Sequence, residues 1–176
     1  SSDVCSSDLA KRIVLDTLGC AIGGHTSGPA KIAQAMAANV SAKTPATVLC
    51  TMQKTSADLA TFANGVAIRY LDFNDGYISL GSGHPSDMLG AVLPAAEVGG
   101  RNGRELIVGL VVAYEVFTKI IDVLDTRGIG LDHSTVIGMG SVVGAGRLLG
   151  LTRAQLVHAI GITVGANTAI NQGRVG

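Results

Sequence analysis

The chain has 176 residues, enough for one domain with a sizeable core and too few for three. Hydrophobic residues make up 47% and charged ones 15%, with mean hydropathy +0.42, which excludes a disordered tail. Thirteen basic side chains balance thirteen acidic ones, so the basic excess of a nucleic-acid or polyanion binder is missing.

The opening Ser1–Leu9 is polar and acidic and fits neither a helix, nor a strand, nor a secretory signal. It reads as a non-native leader over residues 1–9, expected to pack against nothing, ahead of a domain over residues 10–176. From Ala10 to Ile22 the residues Val14, Leu15, Leu18 and Ile22 form an i, i+3/i+4 stripe closed by Gly23 and Gly24. Pro29 suits a first helical turn, and Ile32, Ala33 and Met36 carry the next stripe. Ser41–Pro45 is loop, and Ala46–Cys50 is the only short extended candidate. Ser56 can cap a helix bearing Leu59, Phe62, Ala63, Val66 and Tyr70.

Leu71–Pro85 shows little periodicity and is rich in Asp, Asn, Gly and Ser. Ser86 or Asp87 restarts a helix through Leu89, Val92, Leu93 and Ala96, in which Pro94 predicts a kink. Asn102 with Glu105 is a capping-box start for a long helix to about Val123. Its apolar run Leu106–Ala113 is too short to span a bilayer. Thr126–Ser134 is irregular again, with Ser134 or Thr135 the expected cap of a helix whose Gly140, Gly144 and Ala145 admit a close neighbour. Thr152 and Gln155 form a second capping box, with Leu151 placed to staple onto Leu156. The pattern is an all-α, multi-helix, bundle-like domain of roughly seven or eight helices. Arg174-Val175-Gly176 follows without a polar tail, as if a longer protein had been cut.

Cys5, Cys20 and Cys50 share no C-x-x-C spacing, which argues against a disulfide framework, a zinc knuckle or an iron–sulfur cluster and for small buried hydrophobes. A soluble, cytoplasmic protein without membrane or nucleic-acid partners is expected. Its low charge suggests that another domain or subunit covers part of its apolar surface.

Two loops concentrate the chemistry. The first runs Leu71-Asp72-Phe73-Asn74-Asp75-Gly76-Tyr77, then Gly83-His84-Pro85-Ser86-Asp87. His84 precedes a helix start, where the positive end of the helix favours a neutral imidazole able to act as a base. Asp72, Asn74, Ser86 and Asp87 are equally readable as turn and cap residues. The second loop holds Asp132-His133-Ser134-Thr135, where His133 is either a second acid or base or a surface residue. His158 reads as a structural or surface histidine, and His25 as a residue just past a helix end. Gly138-Met139-Gly140 with Gly144 has the wrong spacing and no preceding strand for a dinucleotide fingerprint, and no P-loop, G-x-S-x-G or H-E-x-x-H occurs. A His/Asp acid–base site without metal or cofactor is the chemical reading that remains.

At these residues the sequence resembles the MmgE/PrpD family and, within it, the 2-methylcitrate dehydratases. The resemblance is carried by LDFNDGY (71–77), GHPSD (83–87), AYEV (113–116), DHST (132–135), GRLLGL (146–151), HAIGI (158–162) and NQGRVG (171–176). It implies the first part of a large helical domain whose family partner is a smaller α/β lid. It also implies a homodimer and a lyase that removes water from a β-hydroxy tricarboxylate without metal. Asp72, His84 and His133 match the family's active-site positions as catalytic residues. Asn74, Ser86, Gln172 and Arg174 are the expected substrate-binding residues, Arg174 by pairing with a carboxylate. Gly76 stands where the family usually carries Thr, and the family's active-site lysine would follow Gly176. Three other readings stand beside this one: a cis-aconitate decarboxylase, an epimerase of the same family, and a non-catalytic helical dimerisation module. On any enzymatic reading Asp72, His84 and His133 should converge, and the 176-residue chain alone should be inactive.

Overall fold

The structure is a computed structural model that describes residues 6–175, with side chains through residue 173. Seven helices of ten or more residues dominate the described residues: α1 (Ser6–Gly24), α2 (Gly28–Ala38), α3 (Ala57–Arg69), α4 (Leu89–Val98), α5 (Gly103–Val123), α6 (Ser134–Leu149) and α7 (Arg153–Asn167). A short α8 (Gln172–Val175) follows. The all-α reading therefore holds.

Among the described residues the strands are two antiparallel two-residue pairs, β1 (Ala46–Thr47) with β2 (Lys54–Thr55) and β3 (Tyr77–Ile78) with β4 (Ser82–Gly83). Only β1 was legible in the sequence. The β3–β4 hairpin is held from outside itself, by Gly81 N–H donating to the Ile121 carbonyl at 3.1 Å and by the Tyr77 hydroxyl donating to Asp122 at 2.7 Å.

Local signals fix the helix ends. The Ser27 hydroxyl accepts the Ala30 N–H, with Pro29 in the first turn, and both capping boxes close, Asn102 with Glu105 and Thr152 with Gln155. Helix α7 buries none of its residues, so its cap carries an unusual share of its stability. Thr152→Ala should cost about 1 kcal/mol, seen as faster amide exchange across α7.

The start of the chain differs from expectation. Residues 6–9 form the first turn of α1, where Asp8 favours the positive helix end and pairs with Lys11 at 3.1 Å. Ser6 and Leu9 are exposed and border a cavity of about 180 Å³ with Ile13, Leu110 and Tyr114. Residues 1–5 lie outside the described residues, Cys5 among them. Cys20 is buried as expected, but Cys50 is exposed in a turn with φ +69°.

The packing follows the small residues. The predicted stripes of α1 to α3 placed Leu15, Ile22, Ile32, Met36 and Phe62 inward, yet these are all exposed. The buried faces carry Ala21, Ala30, Ala37, Ala60 and Ala67, together with Ala33 and Ala63 of the predicted stripes. Small side chains let backbones approach closely and leave bulky ones no room at the contact. Gly144 shows the limit: a Cβ there would lie 2.8 Å from the Gly109 carbonyl oxygen and 2.9 Å from the Ala113 Cβ. The centre of the domain is α5, whose Leu110, Ala113, Phe117 and Ile121 are fully buried against Met88, Leu89, Val92 and Val136.

Candidate active site

Helix α3 ends at Arg69, and the chain turns at Asp72 in the left-handed region, φ +51°, which a short acidic side chain tolerates. The turn returns the Asp72 carboxylate onto the Arg69 guanidinium, three residues back, as an ion pair. Arg69 also lies 3.7 Å from an Asp87 carboxylate oxygen. The Asn74 amide donates to the Ser86 hydroxyl and to Asp87, both at 2.8 Å, and is itself approached by Arg69. The loop is thereby tied to the 3₁₀ turn Pro85–Met88 that leads into α4.

His84 sits between these segments. Its Nδ1 lies 2.7 Å from the Asp75 main-chain carbonyl; a carbonyl only accepts, so Nδ1 carries the proton. Nε2 then faces the Asp72 carboxylate at 3.8 Å. The second loop brings His133 alongside, with ring centroids 5.6 Å apart and planes at 64°. His133 Nδ1 lies 3.5 Å from Asp132, whose carboxylate also accepts the Ser134 N–H at 2.9 Å. His133 thus occupies the N-cap position of α6, where Ser134 or Thr135 was expected, and Asp132 accepts the N–H of Ser134. Thr135 instead exchanges hydrogen bonds with the Ala169 backbone.

His84 and His133 open onto one cavity of about 160 Å³, walled by Gly76, Tyr77, Ile78, Gly83 and Arg127. Asp72, His84 and His133 are therefore neighbours although they come from two loops. Asn74 and Ser86 are buried and do not line the cavity. Both are engaged with the loop itself, the Asn74 amide donating to Ser86 and Asp87 and the Ser86 N–H donating to Asp75. Gln172 is exposed on α8, at the end of a segment held beside the second loop by the Leu131–Ile170 bridge and the Asp132 N–H to Ala169 carbonyl bond. The Arg174 side chain lies outside the described residues.

Several residues here were given no role from the sequence. Arg69 could have been found from its i, i+3 spacing to Asp72. Arg127 lies in an irregular stretch and gains meaning only from the cavity. Asp75 and Tyr114 are 39 residues apart, yet the Tyr114 hydroxyl donates to Asp75 at 2.7 Å. Burial pushes the Tyr114 phenol far up, and the Asp75 charge and hydrogen bond push it further, so it stays a donor. At Gly76 a Cβ would meet nothing within 4 Å, so the backbone leaves room for a side chain to start there.

Burial also raises the Asp87 carboxyl above its ordinary 3.8, while Arg69 and Asn74 pull it back part way. Between the ordinary and the raised value the folded protein keeps a proton that the unfolded chain has released. Ionising Asp87 therefore costs the fold stability as pH rises through that window. Asp87→Asn should flatten this part of the stability–pH curve, read from urea midpoints. An unchanged slope would place its cause elsewhere.

A sequence profile of the MmgE/PrpD N-terminal domain matches residues 3–176. The 2-methylcitrate dehydratase of Cupriavidus necator is 30% identical over 167 residues, covering 88% of this chain and 34% of that protein. That of Salmonella typhimurium has the same identity and coverage. The mitochondrial 2-methylcitrate dehydratase of Yarrowia lipolytica is 28% identical over 171 residues, covering 87% of the chain and 32% of that protein. The chain thus spans about a third of the length of these relatives. Its helical architecture and the match of nearly every residue to the N-terminal domain lead to one assignment: the chain belongs to the MmgE/PrpD family.

Proposed function

We propose that this domain supplies the acid–base half of a hydro-lyase that removes water from a β-hydroxy tricarboxylate such as 2-methylcitrate. The observation that carries the reading is the pair of imidazoles, 5.6 Å apart over one cavity, with Asp72 3.8 Å from His84 Nε2. Dehydration breaks one C–H and one C–O bond and forms a C=C bond. One group takes the proton from carbon while another protonates the departing hydroxyl, which leaves as water. Two histidines held by carboxylates suit both tasks near neutral pH.

Cations must hold the substrate carboxylates. Arg69 is already paired with Asp72 and Asp87, whereas Arg127 is exposed at the cavity wall and is the guanidinium we assign to this task, with Arg174 as the second. Asp72 is assigned to orient His84 and stabilise its charged form. Asn74 and Ser86 are assigned to hold the loop. The reading includes no metal in the reaction.

The domain is proposed to work within a longer protein, closed by a lid and paired with a second copy in the cytoplasm. Ile78 lines the cavity yet is 85% exposed, and Leu15, Ile32 and Met36 lie open on α1 and α2. These are surfaces that further protein would cover. No described helix is long and apolar enough to cross a membrane.

The test is to offer 2-methylcitrate to this domain extended to the length of its relatives and follow the ultraviolet absorbance of the enoate, with and without chelator. Turnover unaffected by chelator is expected, and negligible turnover by the 176-residue chain alone. An extended protein that binds the acid but never forms the enoate would overturn the reading.

A further inference from the structure

We infer that Tyr114 and Asp75 are positioning residues that hold His84 in its Nδ1-protonated form, so that Nε2 is the nitrogen presented to the cavity. This rests on the reading of His84 as an acid–base group, but it concerns two residues that touch neither the cavity nor the reacting atoms. Three hydrogen bonds converge on Asp75. One carboxylate oxygen accepts the Tyr114 hydroxyl at 2.7 Å, the other accepts the Ser86 N–H at 2.9 Å, and the main-chain carbonyl lies 2.7 Å from His84 Nδ1.

Asp75 is therefore anchored from two sides, by α5 and by the backbone two residues beyond His84. With both carboxylate oxygens engaged, its main chain has little freedom to swing the carbonyl away from the ring. Tyr114 lies on α5, three residues before the fully buried Phe117, so the anchor point is rigid. An imidazole free in water exchanges its proton between the two nitrogens, and a fixed acceptor at Nδ1 selects one form. The partner opposite Nε2 is Asp72, whose side chain is 69% exposed on a turn, so the fixed acceptor lies on the Nδ1 side.

The test is the ring-nitrogen NMR of ¹⁵N-histidine-labelled chain, for which no turnover is needed. In the unaltered chain His84 should show a protonated Nδ1 and an unprotonated Nε2. Tyr114→Phe removes one hydroxyl from a packed ring, and should move both His84 nitrogens toward the averaged values of exchanging forms while the signals of His25 and His158 stay in place. Asp75→Asn keeps an acceptor for the Ser86 N–H and an amide able to donate to the Tyr114 oxygen, so it should retain more of the unaltered pattern than Tyr114→Phe does. Either of two results overturns the inference: a proton on Nε2 in the unaltered chain, or a folded Tyr114→Phe chain whose His84 nitrogens do not move. Neither result bears on whether the extended protein dehydrates 2-methylcitrate.

Discussion

Replacing His84 or His133 by Ala in the extended protein should lower dehydration by about 10²–10⁴-fold, the usual cost of losing a proton-transfer group. The two rings share a cavity and act in one elimination, so the double replacement should cost little more than the worse single one. Neither change should unfold the domain, because neither ring belongs to the fully buried core. Substrate binding, followed by calorimetry with a non-reacting tricarboxylate, should fall far less than turnover. If the double variant turns over at the normal rate, the site assignment is wrong.

Gly83→Ala should damage both stability and turnover, although it removes nothing. A Cβ there would lie 2.9 Å from Phe117 Cζ, 2.9 Å from His133 Cδ2 and 3.1 Å from His133 Cβ. Phe117 is fully buried and cannot retreat, so the displacement falls on the His133 ring, which borders the cavity. Overpacking of this kind costs about 1–3 kcal/mol. A shift of about 1 Å in a proton-transfer group can cost on the order of 10²-fold in rate. The His133 ring signals should move in the NMR spectrum while those of His25, just past the end of α1, stay put. A Gly83→Ala variant with unmoved His133 signals and full activity would show that the contact is not tight in solution.

The helical architecture and the capped helix boundaries are legible along the chain alone, and so are the two polar clusters on which the proposed site is built. Caps such as Thr152–Gln155 and Asn102–Glu105 act over three residues, and periodicity acts over one or two turns, so both can be read without any tertiary knowledge. Polar clusters at 71–87 and 132–135 stood out because such groups would break the core if they lay on the apolar helices beside them. What faces inward was decided elsewhere. Bulky Leu15, Ile32 and Met36 won the periodicity argument and lost the packing one, since α1 to α3 meet through alanines at separations that larger side chains would prevent. The first turn of α1 was likewise hidden in a polar stretch whose Asp8–Lys11 pairing only the helix reveals.

The same division runs through the site. Asp72, His84 and His133 were legible as residue types, but their convergence depends on α5 and α6 packing side by side through Gly144, which carries the second loop over to the first. Tyr114, Asp75 and Arg127 acquire their roles from partners far away in the chain, and no local pattern records such distances. The burial of Asn74 and Ser86 is likewise a tertiary result: buried polar groups must find partners, and the amide of one donates to the hydroxyl of the other, 12 residues on.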